Sequence, residues 1–175
     1  MELDKADLDI LRALAADGRA TVQGVADRVG LRRPSVHARL RRLEARAVVR
    51  GYHADIDPGA IGAGLVAFVF LRISHGKGRD CLQSCGRVGE ALRAIPEIVE
   101  YHTLAGEHDA VAKVRVRDVG HLEQVAMRRV SAIPDVEQVR TTVVLTTHFE
   151  RPPTVPPPSP GARRARRSAP RIEPG

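Results

Sequence analysis

The sequence predicts an α+β protein in which three amino-terminal helices precede a β-α-β unit that occurs twice. Three observations carry this. Apolar residues recur every three or four positions through residues 4–47, between clear helix caps. The run Leu65 to Leu71 is β-branched and aromatic, as a buried strand is. The segment Ala94-Ile95-Pro96-Glu97-Ile98 returns as Ala132-Ile133-Pro134-Asp135-Val136, each time between a helical and a strand pattern.

The first helix begins at Asp4, a good N-cap, with Asp7 three residues on as in a capping box and Leu3 and Leu8 placed as a hydrophobic staple. Leu8, Leu11, Leu14 and Ala15 form its expected apolar stripe, and Asp17-Gly18 ends it. The second starts at Thr21, presents Val22, Val25, Ala26 and Val29, and stops at Gly30. After a turn of helix-turn-helix length, Pro34 opens the third, whose stripe is Val36, Leu40, Leu43 and Ala47. Further on, a helix from about Arg79 to Ile95 leads to a strand through Leu104. A strand at Ala110–Val116, a helix from Val119 to Ile133 and a strand to about Thr147 complete the second copy. Two right-handed copies joined in this way give β-α-β-β-α-β, a ferredoxin-like sandwich. Its helix-free face carries apolar residues and needs a partner, for which a homodimer packing sheet on sheet is the economical solution.

Charge is focused rather than spread. The net charge is +7, yet residues 28–50 alone hold eight arginines against Glu44. The stretch before them, residues 1–27, is net acidic, as is 51–150, and residues 151–175 hold six further arginines and eight of the twelve prolines. Such focusing is the footprint of a polyanion. On the third helix, Pro34, Ala38, Arg41, Arg42 and Ala45 lie opposite the apolar stripe, a thin front that fits a groove about 12 Å wide. Ser35, His37, Ala38 and Arg42 are expected at base edges of double-stranded DNA, and Arg33, Arg39, Arg41 and Arg46 at its phosphates. One acid among eight bases leaves these arginines few partners one helical turn away.

Other chemistry is thin. Cys81 and Cys85, the only cysteines, are one helical turn apart and continue as Val88, Leu92 and Ile95. They fit two small buried hydrophobes, with a metal or redox pair as the alternative. The histidines lack metal spacing, Gly76-Lys77-Gly78 is too short for a phosphate loop, and no cofactor is implied. No apolar run is long enough to span a membrane and the start lacks a secretion signal, which points to the cytoplasm, at the nucleoid.

Over residues 2–149 the chain resembles the leucine-responsive/asparagine regulator (Lrp/AsnC) family. The resemblance rests on Leu3-Asp4 with Ile10-Leu11 and Leu14, Asp17-Gly18-Arg19, Val29-Gly30-Leu31, Val36 with Arg39 and Arg42-Leu43-Glu44, Arg50-Gly51-Tyr52, Asp57-Pro58, Ile95-Pro96, Gly106 with Asp109, and Val143-Val144-Leu145. It implies a winged helix-turn-helix in residues 1–50, a hinge strand or linker in 51–62 (strand near Tyr52–Asp57), and an assembly and effector domain in 63–149; the proline- and arginine-rich residues 150–175, with little to bury, are expected to be a disordered tail. It implies a transcription regulator, dimeric and often assembled further, into octamers among others, which binds an amino acid or related metabolite between subunits. The matching effector positions are Leu104, Gly106 and Asp109 in the turn between the second and third strands, Val119, and Thr142, Val143 and Val144 on the last strand. Gly106 would let backbone N–H groups approach a carboxylate and Asp109 would take an ammonium; the plainer alternative is that both only shape the turn.

Four departures from the family pattern stand out. Arg32 replaces a serine N-cap and is counted with the DNA-facing arginines, Ala47 replaces the glycine that follows the third helix, and Ala110 and Thr142 replace residues often aromatic. Two further functions stay open at this stage. One is an architectural DNA-binding protein without an effector. The other is an enzyme resembling the sirohaem decarboxylases, against which the intact basic helix and the lack of a nucleophile–base pairing both argue.

Overall fold

The computed structural model describes residues 3–74, 80–151 and 155. The tail arginines from Arg163 onward and the Gly76-Lys77-Gly78 stretch lie outside the described residues. The chain divides into two compact units, residues 1–54 with 150–175, and residues 55–149.

The first unit is built on α1 (Lys5–Ala16), α2 (Val22–Val29) and α3 (Arg33–Ala45). The α1 capping box forms as expected, with Asp4 accepting from the Asp7 N–H at 2.8 Å and Asp7 accepting from the Asp4 N–H at 3.3 Å. The buried stripe of α1 differs from the expected one. It runs Asp7, Ile10 and Ala13, with Leu11 and Leu14 half-buried at its edge and Ala15 exposed. Ile10 and Ala13 meet Val25 and Ala26 of α2 and Val36, Leu40 and Leu43 of α3 in one apolar core. A carboxylate therefore lies on the inward face of α1. Thr21 caps α2 through the Gly24 N–H, Gly30 closes it in the left-handed conformation at φ 69°, and Arg28 Nη1 reaches back to the Ala13 carbonyl at 3.2 Å.

The end of α3 resolves the question raised by Ala47. The Val48 N–H bonds to the Leu43 carbonyl and the Ala47 N–H to the Glu44 carbonyl, both at 2.9 Å, which is a complete Schellman closure. Ala47 takes the left-handed backbone itself, at φ 52°. An L-residue with a Cβ is strained there by about 1 kcal/mol. Ala47→Gly is accordingly expected to raise the stability of this unit by about 1 kcal/mol, read as a higher midpoint in thermal unfolding. An unchanged or lower midpoint would show the strain to be absent. At the other end of α3, Arg32 is the N-cap and supplies no side-chain hydrogen bond, as its departure from serine implied.

Residues 51–57 form no strand: among the described residues the expected hinge strand finds no ladder partner. Tyr52 instead donates to Glu44 Oε1 at 2.9 Å, which occupies the one acid of the basic stretch.

The second unit is the expected sandwich. Strands β1 (Leu65–Ile73), β2 (Ile98–Thr103), β3 (Ala110–Val116) and β4 (Val136–Val143) form an antiparallel sheet in the order β2-β3-β1-β4. Helices α4 (Cys81–Arg93) and α5 (Val119–Glu123) supply the second layer. Helix α5 continues as a π-helix over Gln124–Val130, a widening absent from the apolar periodicity. β4 ends four residues before the expected Thr147. The two Ala-Ile-Pro segments close with the same hydrogen bond, Ile98 N–H to the Ile95 carbonyl at 3.0 Å and Val136 N–H to the Ile133 carbonyl at 3.1 Å, although Asp135 takes the left-handed backbone at φ 72° and its counterpart Glu97 does not.

The alternation of β1 sorts the sheet into two faces. Ala67, Val69, Leu71 and Ile73 join Ala110, Ala112, Val114 and Val116 against Val88, Leu92, Val125 and Val130 of the helical layer. Gly89 allows this close approach, since a Cβ there would lie 2.9 Å from a ring carbon of Tyr101. The opposite face has no covering layer in this unit. Register places Phe68 beside Lys113 and Thr142, and Phe70 beside Val111 and Arg140. Phe68 and Phe70 thus lie on the open face with charged neighbours, Lys113 on the inner strand β3 and Arg140 on the edge strand β4.

Candidate nucleic-acid interface and effector turn

Helix α3 turns Val36, Leu40 and Leu43 inward, leaving Ser35, His37, Ala38, Arg41 and Ala45 exposed on the opposite side. Arg32 and Arg33 are exposed at its amino end and Arg46 at its carboxyl end. Among the described residues, Arg32, Arg33, Arg41 and Arg46 make no ion pair.

Arg39 and Arg42 behave differently. Both lie on the flank of α3 that faces α1, and both reach its acids. Arg39 Nη1 is 2.8 Å from Asp4 and 2.7 Å from Asp7, while Arg42 Nη2 is 2.8 Å from Asp7. The Asp7 side chain is only 3% exposed, so two guanidiniums compensate one buried carboxylate. Arg42, expected at base edges, and Arg39, expected at phosphates, thus share a set of ion pairs that pins α3 onto α1. Sequence spacing missed this because the acids lie 32 to 35 residues away rather than one turn away. The available signal was the acidic stretch beside the basic one, together with the 7-10-13 spacing that puts Asp7 on the inward stripe. Asp4's carboxyl is held below its ordinary value of 3.8, first by the Asp7 N–H and next by Arg39. Its contribution to the closure is complete above that ordinary value and is lost as pH falls through the lowered one.

The expected effector residues fall into two groups at opposite ends of the sheet. Leu104, Gly106 and Asp109 share the turn between β2 and β3, where the Leu104 N–H bonds to the Asp109 carbonyl at 2.8 Å. Val119 begins α5 beyond the far end of β3, roughly 20 Å away at about 3.3 Å per strand residue. The Val144 N–H bonds to the Val66 carbonyl near that far end, close in register to Thr142 and Val143. A single subunit does not gather these residues into one pocket. Asp109 is committed locally: its Oδ2 accepts from the Ile73 N–H at 2.8 Å, and its own N–H bonds to the Leu71 carbonyl at 3.0 Å. These are turn-shaping bonds. Gly106 needs no left-handed backbone and has open space around its Cα. His108, from the same turn, lays its ring against Phe70 on the open face, with centroids 5.1 Å apart.

Among the described residues, no group of three or more metal-ligating side chains converges, and no helix is long and apolar enough to cross a membrane.

A helix-turn-helix with an arginine-bordered third helix, followed by an α+β ligand-binding domain, defines a DNA-binding transcriptional regulator rather than an enzyme. Residues 3–44 match the AsnC-type helix-turn-helix domain, and residues 66–154 match the Lrp/AsnC ligand binding domain. The chain belongs to the Lrp/AsnC family. It is 37% identical over 147 residues to the HTH-type transcriptional regulator LrpA of Mycobacterium tuberculosis, covering 84% of this chain and 93% of that one. It is 32% identical over 148 residues to the HTH-type transcriptional regulator FL11 of Pyrococcus horikoshii, covering 85% and 93%. Among solved structures, it is similar to a feast or famine regulatory protein from M. tuberculosis complexed with L-methionine, with a TM-score of 0.78, 36% identity, and coverage of 89% and 100%.

Proposed function

We propose that the chain is a sequence-specific regulator that binds operator DNA as a homodimer and responds to an amino acid or a related small metabolite. The observation that carries the DNA reading is the exposed front of α3. Four arginines there have no ion pair, while two others fix the helix on α1. Ser35, His37 and Ala38 then meet base edges, and Arg32, Arg33, Arg41 and Arg46 meet phosphates. Pairing of the open sheet faces supplies the dimer, and its two-fold axis presents two copies of α3 to half-sites about one helical turn, or a multiple of it, apart. The separation of the effector residues within one subunit favours a site completed between subunits. The L-methionine complex of the M. tuberculosis relative supports an amino acid as the ligand class.

Selection of bound fragments from genomic DNA, beginning with the region upstream of its own gene, tests the DNA reading. On a selected fragment, His37→Ala is expected to lower affinity about tenfold, with relaxed sequence preference. Arg41→Ala should weaken all duplexes alike and flatten the salt dependence by about one unit of slope. Failure of the folded protein to shift any duplex at low salt would sink the assignment. For the effector, an amino acid at 100 times its dissociation constant should stabilise the protein by about 2.7 kcal/mol in a thermal-shift screen. If no amino acid or related metabolite moves the midpoint, the protein is an architectural DNA binder without an effector.

A further inference from the structure

The geometry points to Cys81 and Cys85 as an oxidisable dithiol that a hydroperoxide closes into an intrachain disulfide, remodelling the first turn of α4 beside the β2–β3 turn. They are the only cysteines in the chain, and their sulfurs lie 3.9 Å apart. Cys81 is the first residue of α4 and is half-buried, whereas Cys85 is 1% exposed. One sulfur is thus open to a small oxidant and the other is shielded directly behind it. Two buried hydrophobes filling a core would not need this asymmetry.

The chemistry follows from the positions. The Cys81 sulfur attacks the peroxide O–O bond and becomes a sulfenic acid, and the other peroxide oxygen leaves as water or an alcohol. The Cys85 sulfur then attacks the Cys81 sulfur. The S–S bond forms, the S–O bond breaks, and the hydroxyl departs as water with the Cys85 proton. Two thiols and one hydroperoxide are consumed, and the sulfurs supply both electrons. Burial, and after it the neighbouring Cys81, push the Cys85 thiol up, which suits it to resolving the sulfenic acid rather than to attacking the oxidant.

The closure moves backbone. Side chains one helical turn apart have Cβ atoms about 5–6 Å apart, whereas a disulfide needs about 3.5–4.5 Å. The first turn of α4 must therefore loosen, and it is the turn with the fewest intrahelical bonds to lose. The Cys85 carbonyl accepts the Tyr101 hydroxyl at 3.0 Å, which joins the pair to β2. Tyr101 lies near the end of β2, so the closure bears on the strand that leads into the turn carrying Leu104 and Gly106.

Cleavage after Arg79 and Arg87 places both cysteines in one tryptic peptide, Asp80–Arg87. After the intact protein is treated with hydrogen peroxide and then alkylated, this peptide is expected unalkylated and lighter by two hydrogens. The change should reverse with dithiothreitol and give no interchain species on a non-reducing gel. Cys85→Ser should accumulate a dimedone-reactive sulfenic acid at Cys81, and Cys81→Ser should react at least tenfold more slowly. A wild-type peptide that stays fully alkylatable, acquires only sulfinic oxygen or links two chains would overturn the inference. An unlabelled Cys85→Ser variant would overturn the role of Cys81 as the attacking sulfur.

Discussion

Asp7→Ala is expected to destabilise the amino-terminal unit by about 3 kcal/mol, and to do so without touching a residue that meets DNA. The carboxylate is buried, accepts from Arg39 and Arg42, and takes the Asp4 N–H into the capping box. Its removal leaves Arg42 without its counter-charge and Arg39 with Asp4 alone. Arg39→Ala or Arg42→Ala alone should cost less, about 1 kcal/mol, because either one leaves Asp7 a partner. Thermal unfolding of the full chain by circular dichroism would separate the two units, with the earlier transition falling and that of the sheet domain staying in place. Since a unit of about fifty residues has only a few kcal/mol to spare, the Asp7 variant should also lose DNA binding at growth temperature. It should regain binding in the cold, which a lost base contact would not do. A transition unmoved by Asp7→Ala would show the three-residue network to be an accessory of the surface.

Phe70→Asp is the second large effect. Phe70 lies on the open side of β1, between Val111 and Arg140 in register, so its replacement leaves the Val69 and Leu71 side of the core intact. A carboxylate on this face would have to be desolvated twice in a sheet-on-sheet dimer, at a cost that the neighbouring Arg140 offsets only in part. The variant is expected to be a folded monomer by light scattering. Its operator affinity should fall at least a hundredfold, because linked binding of two half-sites contributes factors of about 10²–10⁴. A dimer that survives the substitution would move the subunit interface elsewhere.

Local rules accounted for much of the architecture. The Asp4–Asp7 box, the Thr21 cap, the Gly30 stop and the Ala110–Val116 strand all follow from short stretches of sequence, and all appear where those stretches place them. The repeated Ala-Ile-Pro segment proved informative because both copies close a helix-to-strand turn with the same hydrogen bond. What remained hidden depends on long-range contacts or on backbone energetics. The Arg39 and Arg42 partners come from another helix, and judging α3 by its own neighbours made those arginines seem unpaired. Ala47 adopts a glycine-like backbone because closing α3 with two hydrogen bonds outweighs the cost of its Cβ. The π-helical continuation of α5 keeps Val125, Ala126 and Val130 buried, so an apolar stripe alone does not distinguish it from an α-helix. The expected effector positions were the least legible, because they lie at both ends of one sheet and a single subunit does not gather them.

The Arg39–Asp4–Asp7–Arg42 network also sets how the protein responds to ionic strength. A basic side chain that already has a carboxylate partner displaces few counterions when it nears a phosphate. Each cation taken out of the count makes the logarithmic fall of affinity with salt shallower by about 0.9. With two of them withdrawn in each chain, the protein should hold its DNA across a wider range of salt than its arginine content suggests.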